Sequence, residues 1–362
     1  MKRIAALFMA VALLAMGAGA YAESAMPAAV PGAFAGPSTE FSMATAFHVL
    51  ANFIHQDADA ARAAFAAQGL EVVRQERYDK EISDHSHTSA YTLATGKMDI
   101  RGESRNVAVI TVRGTGGGEW YSNFDFAGET GDKCLYAENF MAAAQDIFAG
   151  VKAYIDALDD PVIIAAGYSR GAACANLLGM MMDESYGMED VYVYTFATPN
   201  TVRGDVIGYE NIFNLVNMND MVTRMPLSVW GFCRAGVDIE LRKAGYVNTA
   251  MHNMFMALLG MCGDIDAYYN ERHSLTDYGL SEEGATTFEV FQLVAGVFTP
   301  DEETSAQARQ QLSRIMACEN DFTEVLSFFT DSGTDSESGQ AGIFSQHMPD
   351  VYAELMMEMA GY

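Results

Sequence analysis

The chain of 362 residues has few of the features that would point to a nucleic-acid, metal or redox function. It carries only 21 basic residues against 48 acidic ones, so its net charge of −27 disfavours binding to nucleic acid or anionic headgroups. Its five cysteines are odd in number and include no C-x-x-C pair, which argues against a zinc site or a dithiol motif. They are Cys134, Cys174, Cys233, Cys262 and Cys318. We therefore expect no metal, no cofactor and no nucleic-acid partner.

Long apolar runs are absent except near the N-terminus. Lys2 and Arg3 precede an apolar stretch over residues 4–16, which is too short to span a bilayer, and Ala20-Tyr21-Ala22 follows as a small-x-small cleavage pattern. We expect residues 1–22 to be a signal peptide cleaved near Ala22, which would make the mature protein secreted or periplasmic. A retained N-terminal anchor is the alternative. No later stretch reaches the ~18 apolar residues of a membrane span.

A serine turn at residues 160–180 organises the rest of the chain. A short β-branched run, Val162-Ile163-Ile164, is followed by Gly167-Tyr168-Ser169-Arg170-Gly171 and then by apolar residues at helical spacing. This is the strand–turn–helix context in which G-x-S-x-G presents a nucleophilic serine. We expect Ser169 to have a positive φ, and the two glycines to be required because larger side chains would collide.

A serine hydroxyl needs a general base and an acid that orients the base. Asp220 follows the predicted strand 211–217, where a third triad member is expected, and His273 lies in a polar stretch after a predicted helix. Ser169, Asp220 and His273 thus occur in the chain order of an α/β-hydrolase triad. The alternatives are Asp205 for the acid and His252 or His347 for the base.

The oxyanion that forms during acyl transfer needs backbone N–H donors. The predicted strand 106–113 runs directly into the loop Gly114-Thr115-Gly116-Gly117-Gly118. In a serine hydrolase the strand before the nucleophile strand commonly supplies one donor in this way. We predict the backbone N–H groups of Thr115 and Arg170 as the oxyanion hole. A phosphate-binding loop is the weaker alternative, because no Gly-Lys-Ser/Thr follows.

Hydrophobic residues make up 50% of the chain, which is enough for one large α/β domain or two smaller ones. The sequence pattern predicts an α/β-hydrolase with a central, mostly parallel sheet flanked by helices, plus a helical C-terminal extension. Expected strands lie at 70–78 and 88–95 as a hairpin, and at 106–113, 160–167, 190–196 and 211–217. A second hairpin is expected over 230–241. The expected domains are a signal peptide at 1–22, a flexible lead-in at 23–39, a hydrolase domain at 40–285 and an extension at 286–362.

Five motifs, taken in order, resemble the class 3 (fungal-type) lipase family. They are Arg113-Gly114-Thr115, Gly167-Tyr168-Ser169-Arg170-Gly171, Thr195-Phe196-Ala197-Thr198-Pro199, Asn219-Asp220-Met221-Val222 and His273…Tyr278 as an H-x-x-x-x-Y histidine. The resemblance covers about residues 70–280. It implies a secreted lipase or carboxylesterase with Ser169, Asp220 and His273 as its triad and an acyl ester or lipid as its substrate.

Four positions depart from the family pattern, namely Tyr168, Arg170, Ala172 and Ala197, and the family's histidine-glycine-phenylalanine signature ahead of the long helix is missing. Tyr168 and Arg170 flank the serine where the family usually has G-H-S-L/M-G-G, and Ala197 replaces the glycine of T-F-G-x-P. A charged Arg170 beside the nucleophile disfavours long-chain triglyceride as the substrate. The region 280–362 lies outside the resemblance, and we expect it mainly to pack on the domain.

Two other functions compete with an exported, monomeric serine ester hydrolase. One is a catalytically inactive α/β-hydrolase relative that acts as a binding protein. The other is a different serine acyl-transfer enzyme, namely a thioesterase, a peptidase or an acyltransferase.

Overall fold

The computed structural model describes residues 32–79, 87–116, 135–204, 206–217, 220, 222–226, 231–241, 303, 306–307 and 347–361. Within these residues the strands are β1 (Glu71–Glu76), β2 (Tyr91–Ile100), β3 (Glu103–Val112), β4 (Val162–Tyr168), β5 (Val191–Phe196), β6 (Val202–Arg203), β7 (Ile212–Asn217), β8 (Phe232–Cys233) and β9 (Val237–Leu241). The α-helices are α1 (Met43–Phe53), α2 (Ala58–Ala67), α3 (Glu138–Asp156), α4 (Arg170–Tyr186) and α5 (Pro349–Ala360).

Seven of the described strands form one sheet in the order β1-β2-β3-β4-β5-β7-β9. The first three strands are antiparallel, and each pair from β3 to β9 is parallel. The α/β-hydrolase fold with a mostly parallel sheet is therefore confirmed, as is the hairpin of β1 and β2. The second expected hairpin is wrong, because β8 pairs with β6 in a separate two-stranded sheet whereas β9 joins the main sheet beside β7.

The central strands are buried on both faces, which explains their continuous apolar sequences. All seven residues of β4 are buried. Ile163 and Ala165 pack in a core with α3 and α4, whereas Ile164 and Ala166 pack in a second core with α1 and α5. This is the two-residue alternation of a strand. The helices thus cover both faces and leave the carboxyl ends of the parallel strands at one edge.

Helix α5 belongs to the predicted C-terminal extension and packs against α1 and β9. Its apolar face is buried through Tyr352, Ala353 and Met356, with Leu355 8% exposed. Most of the extension before residue 347 lies outside the described residues. None of the helices in the described segments is both long and apolar enough to cross a membrane.

Candidate active site

Ser169 lies at the turn between β4 and α4, with φ 56° and ψ −124°. The expected positive φ is therefore confirmed. Such a conformation costs a non-glycine residue of the order of 1–3 kcal/mol and persists only where its surroundings impose it. Here the Ser169 N–H donates to the Phe196 carbonyl at 2.9 Å, and the Ser169 carbonyl accepts from Ala173 N at 3.1 Å. The neighbouring strand and the helix together hold the serine in this geometry.

The two glycines that flank the serine are required by close backbone contacts. A Cβ atom at Gly167 would lie 2.2 Å from the Gly171 carbonyl oxygen, and one at Gly171 would lie 2.1 Å from the Val112 carbonyl oxygen. Neither oxygen belongs to a flexible side chain. The turn can therefore form only with glycine at both positions, as the G-x-S-x-G pattern predicts.

His347 is the histidine that contacts the serine. Its Nε2 atom is 2.8 Å from Ser169 Oγ, and its Nδ1 atom is 2.7 Å from Asp220 Oδ2. Because an ionised carboxylate can only accept, Nδ1 carries the proton and donates to Asp220, which leaves Nε2 to accept the Ser169 hydroxyl proton. The three side chains therefore form a continuous hydrogen-bonded chain.

Asp220 is fully buried, and each of its side-chain oxygens has a fixed partner. Oδ1 accepts from Val222 N at 2.9 Å, and Oδ2 accepts from the Tyr352 hydroxyl at 2.7 Å in addition to His347. The Tyr352 oxygen in turn accepts from Asn217 N at 3.1 Å. Burial, followed by the nearby Asp220 charge, raises the pKa of Tyr352 well above its ordinary value, so this hydroxyl remains a donor.

Tyr168, the last residue of β4, contacts the main chain of His347. Its hydroxyl donates to the His347 carbonyl oxygen. Its ring centre lies 5.7 Å from that of His347 and 5.8 Å from that of Tyr352. The His347 side chain is 12% exposed, against 0% for Asp220. The Asp220 carboxylate is thus shielded from solvent, while the His347 imidazole remains partly accessible to it.

Ser169 and Asp220 both contact His347, which is one of the two alternatives to His273 as the base. His347 lies where the base is expected, between Ser169 and Asp220, whereas His273, His252 and Asp205 lie outside the described residues. The sequence did contain the signal. The H-x-x-x-x-Y pattern that favoured His273…Tyr278 occurs a second time as His347…Tyr352. Residue 347 belongs to the predicted C-terminal extension, which therefore supplies a side chain to the candidate site.

The predicted oxyanion donors lie at the same edge of the sheet. Residue 112 of β3 pairs with Gly167 of β4, which brings the loop after β3 beside the serine turn. A Cβ atom at Gly114 would lie 3.3 Å from the Tyr168 carbonyl oxygen, so Thr115 immediately follows a residue that contacts the turn. Arg170 is the first residue of α4, where a backbone N–H has no acceptor within the helix.

The Arg170 side chain, whose charge the sequence places beside the nucleophile, is buried. The residue is 1% exposed, its Nε atom donates to Ser89 Oγ at 3.0 Å, and its guanidinium carbon lies 5.4 Å from the centre of the Phe140 ring. The cation is therefore held within the domain. Among the residues that the structure describes, no cluster of three His, Cys, Asp or Glu side chains is arranged to hold a metal ion.

Residues 109–230 match the family model of lipase (class 3). Over these residues the chain is similar to the class 3 lipases. The matched segment contains the serine turn and Asp220 but ends well before His347.

Solved structures of fungal lipases are similar to part of the chain. The Rhizomucor miehei triacylglyceride lipase aligns at 16% identity and a TM-score of 0.38, over 50% of this chain and 70% of the lipase. The Yarrowia lipolytica LIP2 lipase aligns at 18% identity and a TM-score of 0.36, over 50% of this chain and 69% of that one. The lipase of Rhizopus microsporus var. chinensis aligns at 16% identity and a TM-score of 0.35, over 52% of this chain and 66% of that lipase. No curated protein matched the chain.

Proposed function

We propose that the protein is an exported serine ester hydrolase that cleaves acyl esters through an acyl-serine intermediate, with Ser169, His347 and Asp220 as its triad. The observation that carries the proposal is the pair of hydrogen bonds made by His347, at 2.8 Å to Ser169 Oγ and 2.7 Å to Asp220 Oδ2. Export rests on the basic, apolar and small-x-small pattern of residues 1–22.

Each proton has a defined path in this mechanism. His347 Nε2 takes the Ser169 proton as Oγ attacks the ester carbonyl, and the resulting imidazolium is stabilised by the buried Asp220 carboxylate. The imidazolium then gives the proton to the leaving alkoxide, and the ester C–O bond breaks to leave an acyl-serine. Water, deprotonated by the same Nε2 atom, attacks the acyl-serine. The carboxylic acid is released and the serine is restored.

The tetrahedral intermediates carry a negative oxygen that the backbone N–H groups of Thr115 and Arg170 would stabilise. The positive end of the α4 dipole acts in the same direction, since the oxygen forms beside the N-terminus of that helix. Loss of one such donor typically costs about 3 kcal/mol of barrier stabilisation. Because the Arg170 guanidinium is buried, this residue would contribute through its main chain and not through its charge.

The proposal is tested by reaction of the purified mature protein with a fluorescent fluorophosphonate. We expect the wild type to be labelled, and Ser169→Ala and His347→Ala to lose labelling. His273→Ala is the matched control, because it removes the rival histidine of the other H-x-x-x-x-Y pattern and should be labelled like the wild type. Labelling that survives in His347→Ala and disappears in His273→Ala would reject this triad. A wild type that is never labelled would favour the inactive binding protein.

Ester, thioester and amide substrates that carry the same acyl group distinguish the candidate activities. A series of p-nitrophenyl esters should be hydrolysed faster than the corresponding thioesters and anilides. A preference for thioesters or amides would instead indicate the thioesterase or peptidase alternative. Transfer of the acyl group to an added alcohol in preference to water would indicate an acyltransferase.

A further inference from the structure

Tyr168 joins the nucleophile turn to the segment that supplies the base. Its backbone directly precedes Ser169, and its hydroxyl donates to the main-chain carbonyl of His347, which is 179 residues away in the sequence. Tyr168 is 3% exposed, so its hydroxyl is largely shielded from solvent where it makes this bond. One residue therefore determines the position of Ser169 through its backbone and contacts the main chain of His347 through its side chain.

The hydrogen bonds of the His347 ring do not by themselves hold its main chain. The ring bonds to Ser169 and Asp220 through Nε2 and Nδ1, and both bonds change strength as the proton moves during the proposed reaction. The bond from Tyr168 involves the carbonyl oxygen, which takes no part in that proton transfer. It remains available while the imidazole alternates between its neutral and charged forms.

The bond also persists over the pH range of an assay. Burial, followed by the charges of Asp220 and Asp350, raises the pKa of Tyr168 well above its ordinary value. The hydroxyl thus remains protonated and remains a donor. The Tyr168 ring also contacts the rings of His347 and Tyr352 and closes the space between the serine turn and the start of α5.

We propose that Tyr168 is a positioning residue that fixes the separation of Ser169 Oγ and His347 Nε2 by anchoring the main chain of His347 to the end of β4. The proposal rests on the proposed function only for its effect on rate. The anchoring itself is a property of the folded protein and can be measured without turnover.

Tyr168→Phe removes the hydroxyl and keeps the ring. The matched control is Tyr192→Phe on the adjacent strand β5. Tyr192 is 1% exposed, and its hydroxyl donates to the Gly36 carbonyl at 2.8 Å, across 156 residues of sequence. Both variants lose a buried tyrosine-to-carbonyl hydrogen bond, so both should lower the midpoint of thermal unfolding by a similar amount.

Only Tyr168→Phe should affect the site. We expect its kcat on a p-nitrophenyl ester and its rate of fluorophosphonate labelling to fall about five- to ten-fold, the equivalent of one hydrogen bond, with KM unchanged. Tyr192→Phe should retain both rates within about two-fold. The proposal would be overturned if Tyr168→Phe kept the kcat and labelling rate of the wild type, or if Tyr192→Phe lost as much of both rates as Tyr168→Phe.

A structural readout separates this proposal from the proposed function. The low-field Nδ1–H proton resonance of His347, assigned by its loss in His347→Ala, reports the His347–Asp220 hydrogen bond directly. We expect this resonance to weaken or shift in Tyr168→Phe and to stay in place in Tyr192→Phe, even if the wild type hydrolyses none of the esters tested. A resonance identical in Tyr168→Phe and the wild type would overturn the anchoring role, whatever the activity.

Discussion

His347 Nδ1 lies 2.7 Å from Asp220 Oδ2, although 127 residues separate the two in the sequence. The contact joins the loop after β7 to a residue two positions before α5, so the candidate site is complete only when the C-terminal helix is docked. Activity and docking of α5 should therefore be linked, and several variants can test how the site is held together.

Tyr352→Phe should weaken both stability and activity. The Tyr352 hydroxyl donates to Asp220 Oδ2 and accepts from Asn217 N, so its loss leaves a buried N–H without this acceptor. We expect the free energy of unfolding to fall by about 1–3 kcal/mol and kcat/KM to fall about ten-fold. Urea unfolding and ester hydrolysis measure the two effects.

The control for this variant is Tyr186→Phe, whose hydroxyl bonds to Asp156 near the surface, at 2.8 Å. It should change the free energy of unfolding by less than about 1 kcal/mol and leave kcat/KM unaltered. Equal kcat/KM values for Tyr352→Phe and the wild type would show that the bond to Asp220 does not support catalysis.

Gly171→Ala should disrupt the serine turn. Its Cβ atom would lie 2.1 Å from the Val112 carbonyl and 2.5 Å from the Arg113 carbonyl, and neither backbone oxygen can move without displacing the end of β3. We expect loss of fluorophosphonate labelling and a destabilisation of about 1–3 kcal/mol or more from overpacking. Gly36→Ala is the control, since its nearest neighbour would be Glu40 Oε2 at 3.9 Å and it should be labelled normally. Full labelling of Gly171→Ala would contradict the proposed need for glycine.

Arg234 should stabilise the loop that carries the acid. Its side chain is 7% exposed. The Nη1 atom donates to the carbonyls of Thr223 and Thr198 and to Asn200 Oδ1, while the other guanidinium nitrogens pair with Asp238. A lysine ammonium cannot reproduce the planar set of N–H donors of the guanidinium group. Arg234→Lys should therefore lower the free energy of unfolding in urea by about 2 kcal/mol and also lower kcat.

The matched change is Arg105→Lys, which alters an ion pair with the 80% exposed Asp160 and a longer one, at 3.5 Å, with Asp190. Surface pairs contribute about 0–1 kcal/mol, so this variant should retain the stability and kcat of the wild type. If the two variants were equally stable, the contacts of Arg234 with the two loops would have no measurable role.

Buried His48 should make the fold less stable in mild acid. Burial lowers the pKa of His48 from 6.5 to about 4, so between these values the unfolded chain binds a proton that the folded protein does not. Stability from this group is complete above pH 6.5 and falls as the pH decreases toward 4. His48→Phe should therefore reduce the loss of unfolding free energy between pH 7 and pH 4.5 by about 2 kcal/mol.

Asp183 provides an opposite control. Burial raises its pKa from 3.8 to about 6, so the folded protein holds the extra proton and stability from this group decreases as the pH rises through that interval. Asp183→Asn keeps an oxygen that can accept from Asn211, the bond that Asp183 Oδ1 makes at 2.7 Å. It should steepen the rise in stability from pH 4.5 to 7, whereas His48→Phe flattens it. The same slope in all three proteins would reject both assignments.

The serine turn could be predicted because its requirements are local. The strand, the two glycines and the first turn of α4 lie within a few residues of Ser169, and the same pattern predicts its positive φ. The backbone conformation of Ala197 also follows from a local pattern. It takes φ 55°, so an alanine here adopts the left-handed conformation for which the family pattern has glycine.

The base could not be selected by the same means. Several histidines follow Asp220, two of them begin an H-x-x-x-x-Y pattern, and the selection depends on which segment docks against the sheet. The buried face of α5, with Tyr352 and Met356, makes that decision through tertiary packing. The burial of the Arg170 side chain could not be predicted either, because its partners Ser89 and Phe140 are distant in sequence.

The position of His347 so late in the chain has a consequence for biosynthesis. A nascent polypeptide that has grown as far as β9 already contains the nucleophile and the acid, but it lacks the group that accepts the serine proton. Such a chain can fold much of its sheet while remaining chemically inert. Under the proposed mechanism, hydrolytic capacity would then arise only after translation has passed residue 347 and α5 has docked.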